Sequence, residues 1–443
     1  MSTDRAVAHL QQLVRIPTVS RVDESLIEWK HFDDFIATVE KLYPLVHSAL
    51  ERELVAGHSL LFRWAGRSRD EPTVLMAHYD VVPATDEGWS HPPFAADITG
   101  DGDEAVIWGR GTLDDKGALV SILEAVESQL ATGYLPSNDI YLSFGHNEES
   151  MGHGAIAIVD LLESRGIRAA LVIDEGGAVV EGVFPGVKKP VAVVGVSEKG
   201  ILGLSLTVQQ EGGHASTPPR VTATARLARA IVRLNDHPFP AKFTPTNIEM
   251  LETMGAHASG IYRFLFSNLW LTKRLILFAF GRLSDETNAV TRTTQAVTML
   301  SGSMASNALA ERAVATVNIR IAAGSSVAES VEHVRRAIRD PLVIITVDEP
   351  GEPSPVSPTS GRAWDLVTST ISRIFPGTAV TPYVMLGATD GRHFTRISSN
   401  VYRFSPFEMS SEERGTLHAI NERMHVSTFL RGIEFYRTLI AGL

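Results

Sequence analysis

The stretch VLMAHYDVVP, residues 74–83, runs through four apolar residues and then sets a histidine and an aspartate two positions apart before Pro83 ends it. A strand built for burial has no packing reason to finish in His78 and Asp80. Side chains two apart on a strand share one face, so both point to the same side. In open α/β sheets ligands bind outside the carboxyl ends of the strands. The stretch therefore reads as a buried strand that delivers a site.

The pattern repeats outward from it. Residues 72–175 alternate apolar strands (TVLMAHYD, AVIWGRG, DIYLSFGH, AALVID) with helical segments (DDKGALVSILEAVESQL, GAIAIVDLLESRG). Near-continuously apolar strands separated by helices indicate a sheet covered on both faces, an α/β catalytic domain. After SEKG the texture changes to an alternating strand (GLSLTVQQE), a helix over 221–235, strands near 293–303 and 311–322 and a helix over 327–338. This reads as an inserted α+β domain over 199–348, a lid or dimerisation unit. Pro350, Pro353, Pro355 and Pro358 then mark the crossing back, since such a segment can be neither helix nor central strand. Residues 1–198 and 349–443 thus form two parts of one discontinuous domain.

Composition excludes several classes. Forty Lys and Arg face 51 Asp and Glu, a net charge of −11, and no basic run offers a nucleic-acid face. Cysteine is absent, so any metal must be held by His, Asp and Glu, and the expected location is the cytoplasm. The N-terminus has no long apolar run of the signal-peptide kind. The most apolar stretch, IYRFLFSNLWLTKRLILFAF at 261–280, is interrupted by Arg263, Lys273 and Arg274, which argues against a transmembrane segment. It reads as an amphipathic helix covering a core or subunit interface, with a membrane-surface or greasy-ligand role as the alternative.

Four strand ends carry chemistry. Beside His78 and Asp80 there are Asp114 and Asp115 after WGRGTL, Glu148 and Glu149 after LSFGHN, and Asp174 and Glu175 after ALVI. Any one pair could be solvated. Converging, so many carboxylates would repel one another unless a cation were present, so a divalent metal site, binuclear by its number of acids, is expected. Competing motifs do worse. GRGTLDDKG lacks the spacing of a dinucleotide-binding loop and GVSEK lacks the second glycine of a nucleophile elbow. DITGDGDEAVIW has Trp108 where a calcium loop needs an acid.

Taken together, HYDVVP, WGRGTLDDKG, NEES, IDEGG, SEKG, GGHASTPP and LHAINE resemble the co-catalytic zinc metallopeptidases that include aminoacylase, carnosinase and succinyl-diaminopimelate desuccinylase. Within them the chain most resembles the Gly-X carboxypeptidase and N-fatty-acyl-amino-acid hydrolase branch, from roughly residue 70 onward. The resemblance implies two zinc ions per subunit. His78 and Asp174 would ligate one, Glu149 and His418 the other, and Asp114 would bridge them, with Glu175 as the alternative to Asp174. It implies that Asp80 orients His78, that Glu148 is the general base, and that the Asp114–Asp115 peptide is cis. His214 would stabilise the oxyanion, often from a partner subunit, and relatives often form homodimers through the inserted domain. Arg292, Asn307 and Arg392 match substrate-binding positions, although SNALAER departs from the family's Asn-Val-Ile-Pro.

The expected activity is hydrolysis of the amide bond of a small peptide or N-acyl amino acid with a free carboxylate. An amidase for long-chain N-acyl amino acids is the alternative within that chemistry. From another class, a non-catalytic metal-binding scaffold or sensor would need neither Glu148 nor Asp80.

Overall fold

A computed structural model describes residues 3–150 and 152–443. Its larger sheet has ten strands among the described residues. Ser68–His78 lies between Asn138–Gly145 and Leu171–Asp174, parallel to both, and Val401–Arg403 continues the parallel run. His78 is in register with Gly145, so the loops that follow the parallel strands open at one edge of the sheet.

Helix Lys116–Ala131 is buried along most of its length, from Lys116 to Glu127. A helix apolar on all sides belongs inside, and this one packs against strand Ser68–His78 on one side and helices Thr3–Val14 and Val426–Gly442 on the others. Two features depart from the sequence reading. Val106–Trp108 does not join the main sheet but pairs with Ile98–Thr99 and Arg423–His425. An antiparallel hairpin, Glu51–Val55 with Ser59–Trp64, extends the main sheet at its edge.

A second, antiparallel sheet is made of Thr294–Ser301, Arg312–Ile321, Gly200–Gln209 and Ile344–Pro350. Along Arg312–Ile321 every second residue is buried, and Ala313, Ala315, Val317, Ile319 and Ile321 meet helices Ala223–Asp236 and Val327–Ile338 in a core of their own. One-sided burial of this kind follows from the period of two. The division at 199–348 needs one correction. The excursion between these elements, helices Pro245–His257, Gly260–Ser267 and Leu269–Leu283, packs on the larger domain: Phe243, Leu251, Met254, Phe266 and Ile276 belong to its core. Helix Pro245–His257 lies against strand Ala379–Met385 of the large sheet.

Candidate active site

His78 closes its strand and is almost fully buried. Its Nδ1 lies 3.0 Å from the backbone carbonyl of Asp80 and 3.3 Å from that residue's Oδ1. An Nδ1–H donated there leaves Nε2 with its lone pair free, and Nε2 faces Asp114 Oδ1 at 2.9 Å and Glu175 Oε1 at 3.3 Å. On the opposite side, His418 Nε2 lies 2.9 Å from Asp114 Oδ2 and 3.0 Å from Glu149 Oε1. Asp114 thus offers one oxygen to each histidine. The residues form two donor groups, His78–Asp114–Glu175 and Asp114–Glu149–His418, whose ligand atoms within each group lie within 4.8 Å of one another.

Backbone contacts hold this geometry from behind. Asp80 accepts the N–H of Glu148 on Oδ1 and that of Glu149 on Oδ2, both at 3.1 Å. The Asp114–Asp115 peptide is cis, and Asp115 Oδ2 accepts the N–H of His78 at 3.3 Å. Glu422, fully buried, accepts from Gly111, Leu113 and Asp114 N–H groups on Oε1 and from Arg110 on Oε2. It clamps the loop that presents Asp114. His418, four residues earlier, is itself held at φ +57°, an unusual backbone state for a non-glycine residue that clusters at functional sites.

The sequence reading set Asp174 first and Glu175 second as ligand; in the structure it is Glu175 that stands in the donor group with His78 and Asp114. Asp174 Oδ2 accepts the N–H of Gly391 at 2.6 Å, and a Cβ on Gly391 would come within 2.7 Å of that oxygen. That oxygen of Asp174 is thereby engaged by the neighbouring loop. Glu175, one residue past the strand, turns to the other side and meets His78.

Electrostatics show why this cluster suits cations. Burial pushes the carboxyls of Glu175 and Glu148 well above the usual carboxylate range. The charge of Asp114 adds to it at Glu175, and those of Glu175 and Asp390 at Glu148, with His78 opposing in both cases. Burial acts the same way on Asp114, but the imidazoles of His418 and His78 hold that carboxyl below its usual range. The carboxylates of Asp114 and Glu149 push His418 up to about 10. Imidazoles that must borrow protons to sit among carboxylates are the arrangement a divalent cation replaces. Glu149 Oε1 is buried and 3.0 Å from His418 Nε2, yet receives no aligned hydrogen bond. Imidazole nitrogens and carboxylate oxygens converging at 2.9–3.3 Å fit metal ligands, and histidine with carboxylates suits zinc and similar ions.

The donors open into a cleft of about 740 Å³ lined by Glu148, Glu149, His418, Arg392 and Arg320, among others. Arg392 also donates to the Glu352 carbonyl at 3.2 Å. Of the other residues singled out in the sequence, His214, Arg292 and Asn307 do not line this cleft. His214 and Asn307 come together instead on an exposed two-stranded ribbon of the smaller domain, where Ala215 N–H donates to the Asn307 carbonyl and His214 pairs with Ala308. The Arg292 guanidinium donates to the Phe239 carbonyl, and its own carbonyl takes Lys199 Nζ at 2.7 Å. Glu422, Asp390 and Arg320 were not singled out in the sequence. Glu422 had a signal, since it closes the LHAINE string.

Comparison with known proteins gives the family and the fold. The chain is 37% identical over 98% of its length to an N-fatty-acyl-amino acid synthase/hydrolase of Xenopus tropicalis, covering 85% of that protein. It is 36% identical over 93% of its length to a probable carboxypeptidase S-like protein of Dictyostelium discoideum, covering 79% of it. Among solved structures, a metallo-carboxypeptidase of Sulfolobus solfataricus superposes with a TM-score of 0.70 at 18% identity, over 98% of both chains. Human carnosine dipeptidase 1 follows at 0.66 and 16%, over 99% of this chain and 95% of that one. These two show the fold. The sequence model of peptidase family M20/M25/M40 matches residues 74–442, and the chain is a metallohydrolase belonging to that family.

Proposed function

We propose that the protein hydrolyses the amide bond of a small peptide or N-acyl amino acid whose leaving portion carries a free carboxylate. Two zinc ions per subunit would be held by His78, Asp114 and Glu175 on one side and by Asp114, Glu149 and His418 on the other. The observation that carries this reading is the pair of donor groups sharing Asp114, with Glu148 beside them in one cleft. When bound, such ions supply Lewis acidity to the scissile carbonyl and lower the pKa of water. Glu148 takes a proton from the attacking water and returns it to the leaving amine; burial raises its proton affinity, which suits a carboxylate to both tasks. Asp80 fixes the tautomer of His78 and the position of both glutamates.

Arg392 and Arg320 line the same cleft as Glu148, and a planar guanidinium matches a carboxylate partner. His214 is exposed on the smaller domain, so its proposed role at the oxyanion requires closure of the two domains or pairing with a second subunit. The names of the relatives, an N-fatty-acyl-amino acid synthase/hydrolase and a carboxypeptidase, support chemistry at an amide bond beside a carboxylate.

A specific observation favours a long acyl group as the second reading. An apolar cavity of about 200 Å³ is lined by Val180, Phe184, Tyr383, Met385 and Leu417, and also by Gly176 and Gly387. Gly176 and Leu417 adjoin Glu175 and His418, and Gly387 lines the catalytic cleft as well. The test compares hydrolysis by the zinc-loaded protein of a dipeptide with N-terminal glycine and of an N-oleoyl amino acid with the same C-terminal residue. Preference for the dipeptide assigns a carboxypeptidase, preference for the oleoyl compound a lipid amidase, and turnover of neither overturns the proposal.

A further inference from the structure

The excursion that leaves the smaller domain is held on one side only. Helices Gly260–Ser267 and Leu269–Leu283 bury Phe266, Thr272 and Ile276 against the body. On the other side Trp270 is 85% exposed, and Ile261, Phe264, Leu271, Leu275 and Phe278 are each more than half exposed. Leu271, Leu275 and Phe278, spaced four and three apart, share one face of a single helix, and an exposed apolar face of this kind marks an interaction site.

We propose that this face docks the protein on an anionic lipid surface. Residues 260–283 carry Arg263, Lys273, Arg274 and Arg282, all exposed, and no acid, in a chain whose net charge is −11. The Arg282 guanidinium sits 3.8 Å over the Phe278 ring, beside the apolar face. Exposed Trp, Phe and Leu flanked by Arg and Lys are the composition of a helix that lies in a lipid interface and is drawn there by anionic headgroups.

Geometry separates docking from spanning. The helices have 8 and 15 residues and meet at a bend of 113°. At about 1.5 Å per residue neither crosses a hydrocarbon core about 30 Å thick. A second copy of the chain fits this face less well, because a two-fold interface would set its four cations against the same four with no acid within 260–283 to pair them. The segment runs on into helix Asp285–Thr291, whose Glu286 lines the apolar cavity beside the site. What meets the lipid is therefore continuous in the chain with a wall of that cavity. The inference does not depend on which substrate is cleaved.

The experiment is co-sedimentation of the full chain with vesicles of phosphatidylcholine alone and of phosphatidylcholine mixed with phosphatidylserine. The expected result is pelleting with the mixed vesicles that weakens at high salt. Both Lys273→Gln/Arg274→Gln and Trp270→Ser/Phe278→Ser should lower partitioning by about tenfold while melting at the wild-type temperature. No pelleting at low salt, equal pelleting with both vesicles, or partitioning unchanged in both variants would overturn it. So would a lipid-free dimer that either variant splits into monomers, which would give the face to a second copy.

Discussion

Asp80 accepts the backbone N–H of Glu148 on one carboxylate oxygen at 3.1 Å, and so ties the end of one strand to the loop that follows its neighbour. The other oxygen takes Glu149 N–H at the same distance. Because Oδ1 is also 3.3 Å from His78 Nδ1, one buried carboxylate sets both glutamates and one imidazole. Asp80→Ala leaves two N–H groups without their acceptors. Metal affinity, read by competition with a chromogenic chelator, should fall about 10- to 100-fold; unchanged affinity would show that the loop holds its shape without this contact.

Glu148→Gln keeps the shape of the side chain and removes its ability to take a proton. The variant should bind the same amount of zinc by elemental analysis as the wild type. Its turnover should fall about 10²- to 10⁴-fold, the usual contribution of a positioned base. Undiminished hydrolysis would remove Glu148 from the chemistry.

Chelation should abolish activity and lower the melting temperature together. Burial and mutual repulsion already raise the carboxyls of Glu148, Glu175 and Asp390, so the native state without cations bears that cost. Zinc at a hundred times its dissociation constant should restore about 2.7 kcal/mol, seen in a thermal melt as a concentration-dependent rise. A melt indifferent to zinc would separate the donor cluster from metal binding.

Arg403 and Glu198 form an ion pair with both side chains fully buried, Nε to Oε1 at 2.6 Å. Glu198 also accepts Thr389 N–H and Oγ1–H, each at 3.0 Å, and so reaches the loop that carries Asp390 and Arg392. Glu198→Ala strands a buried guanidinium and should cost about 3–5 kcal/mol in urea unfolding. Replacing both partners with methionine should cost less than that single change, since no charge is left unpaired.

Strand ends were readable in the sequence because chemistry interrupts an apolar run there: His78 after VLMA and Glu148 after LSFGHN stand out against burial. The choice between Asp174 and Glu175 was not, because it turns on where the strand stops and which way the next residue faces. Glu422 closes the LHAINE string, but its task was hidden there, because three of its donors are backbone N–H groups and the fourth, Arg110, lies 312 residues away in the chain. The 261–280 stretch displays an amphipathic pattern, which tells that one face is buried but not against which core; Phe266 and Ile276 chose the larger one. The hairpin of 51–64 lies in a segment whose apolar and polar residues alternate too briefly to stand out.

His146 should make the fold acid-sensitive. Its side chain is packed beside Trp29, Phe32 and His58, it is 4% exposed, and its Nδ1 lies 2.6 Å from Ser59 Oγ. A neutral imidazole accepts that hydroxyl proton on Nδ1, whereas an imidazolium cannot. Burial, aided by His58 and opposed by Asp80, lowers its pKa to about 4, against about 6.5 in an unfolded chain. Between these values the unfolded state binds a proton that the native state refuses, so stability rises with pH there. The contribution is fully present above about pH 6.5 and is lost as the pH falls to about 4, a total of about 3 kcal/mol. His146→Asn keeps an acceptor near Ser59 and cannot titrate. Urea midpoints of the two proteins should therefore converge as the pH is lowered through this window, relative to their separation at neutral pH. A constant separation across the window would mean that His146 is protonated alike in both states.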